Sequence, residues 1–197
     1  MTNQAKVSRR EQRRQEVEAR RRRRTLTFLL PVVAVVVIFG GLLLYQNLGG
    51  DIEGVVEFGR QEQSHDEGVE IAEADLPPVG GVHSPRWQNC GIYDQPVEKK
   101  YAIHAMEHGA VWITYQPELP AGQIESLREL ARGQTFMLLS PYPGLRSPVV
   151  ATAWGLQLEL DSAEEPRLAE FTDAYRLGPQ TPEFGAPCTG GIGQPLG

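Results

Sequence analysis

The longest uninterrupted apolar stretch runs from Leu26 to Tyr45, where Thr27 is the one markedly polar side chain. As a helix rising about 1.5 Å per residue it reaches about 30 Å, the hydrocarbon thickness of a bilayer. Pro31 falls near the start of the stretch, where a spanning helix tolerates it. A cleaved signal peptide has a shorter apolar part and a small-residue cleavage site. Here the stretch runs into Tyr45-Gln46-Asn47-Leu48 with no such site, so we expect an uncleaved transmembrane helix over residues 26–48.

Beyond that span the pattern changes period. Ala110 to Tyr115, Thr135 to Leu139 and Val149 to Trp154 are β-branched or aromatic runs and predict strands, and Leu156, Leu158 and Leu160 alternate as another. Shorter β-like runs occur at Val55 to Phe58 and Val69 to Ile71. Gly122 to Arg132 spaces Ile124, Leu127, Leu130 and Ala131 as one helical face. Ser162 reads as the cap of a second helix whose inner stripe is Leu168, Phe171 and Tyr175. Ser140-Pro141-Tyr142-Pro143-Gly144 reads as a turn, and the glycine- and proline-rich tail from Gly178 as irregular. The expected fold is α+β: a small mixed sheet with two amphipathic helices over one face, preceded by the one transmembrane helix.

Charge gives the chain its direction. Residues 1–24 carry ten basic side chains against Glu11, Glu16 and Glu18, a net of +7, which leaves −13 for the remainder of a chain whose total is −6. Only Arg60 is basic in the thirty-odd residues after the apolar run, so the basic end is expected inside. The segments are then a cytoplasmic tail (1–25), the span (26–48), an acidic stalk and domain entry (49–80) and an extracytoplasmic globular domain (81–197). The lipid bilayer is the expected partner of 26–48, and a second membrane protein is a further candidate. Arg20 to Arg24 directly precede the span and are expected beside anionic headgroups. No aromatic residue interrupts the tail to stack on bases, and no nucleic acid is expected.

The candidate chemistry lies in the outer part. All four histidines (His65, His83, His104, His108) follow the span, two of them within His104-Ala105-Met106-Glu107-His108. Extended, this segment puts His104, Met106 and His108 on one face. Helical, it keeps His104 and His108 together and rotates Met106 away. Two imidazoles with a thioether suit copper, above all Cu(I), whereas three histidines suit zinc or Cu(II). The expected ligands are therefore His104, His108, His83, His65 and Met106, with copper as the first ion and zinc as the alternative. Glu107 directly precedes His108, unlike H-E-x-x-H, so it is expected to orient a ligand from behind rather than act as a base. Cys90 and Cys188 are the only cysteines and lie on the oxidising side, which favours a disulfide; a Cys90 thiolate ligand is the alternative. No phosphate-binding glycine loop and no G-x-S-x-G elbow occurs.

The strings Gly80-Gly81-Val82-His83-Ser84, Asn89-Cys90-Gly91-Ile92-Tyr93-Asp94, Met106-Glu107-His108-Gly109-Ala110-Val111-Trp112, Ser140-Pro141-Tyr142-Pro143-Gly144-Leu145 and Gly178-Pro179-Gln180-Thr181-Pro182-Glu183 follow in order. Together, over roughly Val55 to Gly193, they resemble an uncharacterised bacterial family of membrane-anchored proteins, a domain of unknown function. The resemblance implies that the four histidines and both cysteines occupy motif positions, and it transfers no catalytic residue. A metal-binding accessory or chaperone-like protein is the first functional expectation. A structural or partner-binding domain is the second, and a metal-dependent enzyme using Glu107 the third.

Overall fold

In a computed structural model the β-branched runs form one mixed six-stranded sheet, accompanied, among the described residues, by three helices. The structure describes residues 51–196, together with Arg14 and Val37. Apart from those two residues, the basic tail and the expected span at 26–48 lie outside the described residues. Among the described residues no helix is long and apolar enough to cross a membrane.

The elements follow as β1 (Val55–Glu57), β2 (Gly91–Ile92), α1 (Lys99–Glu107), β3 (Val111–Tyr115), α2 (Ala121–Ala131), β4 (Met137–Pro141), β5 (Val149–Ala153), β6 (Leu156–Leu160) and α3 (Pro166–Tyr175). The strand order is β1-β6-β5-β3-β4-β2. β4 runs parallel to both β3 and β2, and the other neighbours are antiparallel. β1, from the segment expected as stalk and domain entry, belongs to the same unit as the rest of the domain.

β3, β4 and β5 are buried along their whole length, because both faces of the sheet are covered. Successive side chains of a strand point to opposite faces. Val111, Ile113 and Tyr115 pack with Leu127 and Ala131 of α2 and Leu168 and Phe171 of α3. Trp112, Leu138 and Val150 pack on the other side with Ala102, Ile103 and Met106 of α1. The sheet therefore lies between layers of helix, where the sequence pattern led us to expect helices over one face only. The difference is α1, which covers the second face and is buried from Tyr101 to Glu107.

Several elements differ from the expected ones. β4 starts at Met137 because Phe136 adopts a left-handed φ of 56°, and Ser140-Pro141 ends that strand instead of turning the chain. Val69 to Ile71 forms no strand. The last helix begins at Pro166, a residue whose fixed φ and missing N–H suit a first helical position. Ser162 caps only a local turn, its Oγ accepting from the Glu164 N–H at 3.1 Å.

The irregular tail is tied down. The sulfurs of Cys90 and Cys188 lie at bonding distance, with Cα atoms 5.4 Å apart across a separation of 98 residues. Beside them the Cys90 N–H donates to the Cys188 carbonyl and the Ile192 N–H to the Trp87 carbonyl, both at 2.8 Å. Gly191 permits this approach, since a Cβ there would overlap the Trp87 carbonyl.

Candidate metal centre

Helix α1 supplies half of the site. Residues three and four apart share a helical face, so His104, Glu107 and the C-cap residue His108 line up on one side of it. The helix stops there because Gly109 takes a φ of 111° and packs against Leu177, whose Cδ2 would lie 2.8 Å from any added Cβ. The other half comes from two extended segments joined as a parallel bridge, His65 beside His83. The His83 N–H donates to the Ser64 carbonyl at 3.1 Å, and the Asp66 N–H to the His83 carbonyl at 2.7 Å.

The four imidazoles meet. Ring centroids are 4.6 Å apart for His65 and His83, 4.8 Å for His65 and His104, 4.9 Å for His83 and His104, and 4.5 Å for His104 and His108. One ligand atom each from His65, His83, His104 and Glu107 falls within 4.8 Å of all the others. His104, His108 and Glu183 form a second such group, sharing His104 with the first. His83, His104, Glu107 and His108 are buried, while the His65 side chain keeps 35% of its surface open.

Residues 65–190 match the family described as Protein of unknown function (DUF3105). The chain belongs to that family. No curated protein and no solved structure matches it. The matched DUF3105 region opens on His65 and holds every member of both groups.

Three of the rings are held by backbone carbonyls. His83 Nδ1 lies 2.7 Å from the Gly81 oxygen, His104 Nδ1 2.6 Å from that of Ser84, and His108 Nδ1 2.7 Å from that of Pro187. A carbonyl only accepts, so each Nδ1 carries a proton and donates it, and the lone pair of the neutral ring is left on Nε2. That is the arrangement in which protein imidazoles usually hold a metal, the second nitrogen fixing tautomer and orientation. His83 Nε2 lies 2.9 Å and His65 Nε2 3.3 Å from Oε2 of Glu107, and His108 Nε2 lies 3.4 Å from Oε2 of Glu183. Ligand atoms at about 2.0–2.1 Å from a tetrahedral ion stand about 3.3 Å from one another, which two of these separations match.

The electrostatics lean the same way. A lone pair and a carboxylate repel, so the buried His83–Glu107 contact is favourable only with a proton or a metal cation between them. Burial pushes the Glu107 carboxyl up, but the contact with His83 and the positive charge available on His83, His65 and His104 outweigh it and hold the group below its ordinary range. Burial pushes the His104 imidazole below its ordinary value against the pull of the Ser84 carbonyl. The His104 shift favours its unprotonated, ligating form, whereas the Glu107 shift draws on protonated imidazoles and suits an ion pair as well as a metal.

Among the expected ligands, the four histidines come together and Met106 is packed elsewhere. It lies in the apolar cluster with Ile103, Trp112 and Leu138, on the side of α1 turned to the sheet. Glu107, expected to orient a ligand from behind, lies 2.9 Å from His83 Nε2 and also offers an oxygen to the first group. Cys90 is paired with Cys188. Glu183 is the residue that sequence reasoning missed: it follows His108 by most of the C-terminal half, and its one trace is its place at the end of the Gly178 to Glu183 string.

Proposed function

We propose that this chain is a membrane-anchored protein whose outer domain holds one divalent transition-metal ion, Cu(II) or zinc, as an accessory or chaperone-like carrier. His65, His83, His104 and Glu107 would hold the ion. The observation that carries this reading is the convergence of four ligand atoms within 4.8 Å around imidazoles whose Nδ1 atoms are already committed to carbonyls. Three nitrogens and one carboxylate oxygen suit zinc or Cu(II) better than Cu(I), which prefers sulfur. The apolar run at 26–48 and the basic residues before it support an anchor with the domain outside, where metal from the surroundings reaches it.

A second reading has one observation in its favour. The 2.9 Å His83–Glu107 contact is also the geometry of a buried imidazolium–carboxylate pair, which would make the cluster a polar core of a partner-binding domain. One experiment separates the two. The full-length chain is stripped with a chelator, incubated with zinc or Cu(II), desalted and analysed for bound metal. About one equivalent is expected, and the His83→Ala, His104→Ala double variant should retain none. No metal on the wild type, or equal metal on the double variant, removes the metal reading in favour of the ion pair.

A further inference from the structure

His104 belongs to both ligand groups, yet it has one nitrogen to give. Its Nδ1 donates to the Ser84 carbonyl at 2.6 Å, so Nε2 alone remains for an ion. An imidazole lone pair serves one metal at a time. The two groups therefore compete for the same ligand and cannot both be filled through it.

They differ in completeness, and each has one exposed member, His65 in the inner group and Glu183 in the outer. The inner group offers three imidazoles and the buried Glu107, a full tetrahedral set. The outer group offers His104, His108 and Glu183, one donor short of that set, and Glu183 keeps 52% of its side chain exposed. The outer group is nonetheless built. The Glu183 N–H donates to the Glu107 carbonyl at 3.0 Å, and the Gly185 N–H to the His108 carbonyl at 3.3 Å. These bonds occupy carbonyls that the end of α1 leaves without helical partners. The Pro187 carbonyl then fixes His108, and the next residue is the paired Cys188. The loop carrying Glu183 is thus fastened to the helix that carries the inner ligands.

Resting on the metal reading above, we propose that the outer group is the loading and release position for a single ion, which passes to the inner group by exchange at His104 Nε2. An ion arriving from solution meets the exposed Glu183 carboxylate, and the three-donor set behind it leaves a coordination position open to water. Rotation of neither helix nor sheet is needed, because His104 already stands between the two sets.

Co(II), whose visible bands report its ligands, is the probe for the full-length chain in detergent. The wild type should take up one Co(II) per chain. Glu183→Gln should still fill to one, but load and release to a competing chelator about tenfold more slowly, in the range that loss of a single supporting partner costs a metal site. His65→Ala, which spoils the inner set, should give a weaker site with an altered spectrum and rapid exchange. Two Co(II) ions per wild-type chain, or exchange rates unchanged in Glu183→Gln, would overturn the transfer while leaving the metal reading intact. No Co(II) on the wild type would overturn both.

Discussion

A carboxylate and a ring nitrogen 2.9 Å apart in a buried setting, as in Glu107 and His83, need a positive charge on or between them. If that charge is a metal ion, Glu107→Gln replaces a charged ligand by a neutral one of the same shape. Affinity should then fall by about 10- to 100-fold or more, measured by competition with a chromogenic chelator. Unchanged affinity would take Glu107 out of the ligand set. His104 supplies a pH signature. Its imidazole is held below the ordinary value of 6.5, so the folded protein binds fewer protons there than the unfolded chain. The stability it contributes is present above that value and lost as pH falls through it. In the metal-free protein, the gap in melting temperature between wild type and His104→Gln should narrow between about pH 7.5 and about pH 5. A gap that widens on acidification would contradict the assignment.

At the scale of elements, the site depends on a helix end and a strap. The C-terminal loop is closed by Cys90 and Cys188 across 98 residues, and opening such a loop costs up to about 4 to 5 kcal/mol in the chain-entropy model. The Cys90→Ser, Cys188→Ser variant should unfold at lower denaturant by a shift of that order, read by chemical denaturation of the metal-free protein. A midpoint within error of wild type would show that the strap is held by its backbone bonds alone. These elements also mark what the sequence discloses. β3, β5 and β6 were legible because Val, Ile, Leu and Thr runs signal a strand wherever they pack. Helix α1 stayed open between extended and helical over His104 to His108, and since every residue from Tyr101 to Glu107 is buried, its burial follows no single face. Period likewise left Met106 undecided between two faces. The meeting of His65 with His83 rests on a two-residue bridge that local pattern cannot encode, and Glu183 arrives through the strap.

For the whole molecule, the proposed anchor and the proposed metal centre depend on each other in a simple way. An orientation with the basic residues 1–24 inside puts the outer domain where cysteines pair and where metal ions are not sequestered by cytoplasmic thiols. The family carries no described activity, so the ion itself is the most informative quantity. The measurement that tests the account most directly is X-ray absorption at the metal edge of the full-length protein, loaded with one equivalent of zinc or Cu(II). The expected result is a shell of nitrogen and oxygen at about 2.0–2.1 Å with imidazole scattering and no sulfur. A sulfur shell at about 2.3 Å, or metal that stays fully hydrated and unbound, would contradict it.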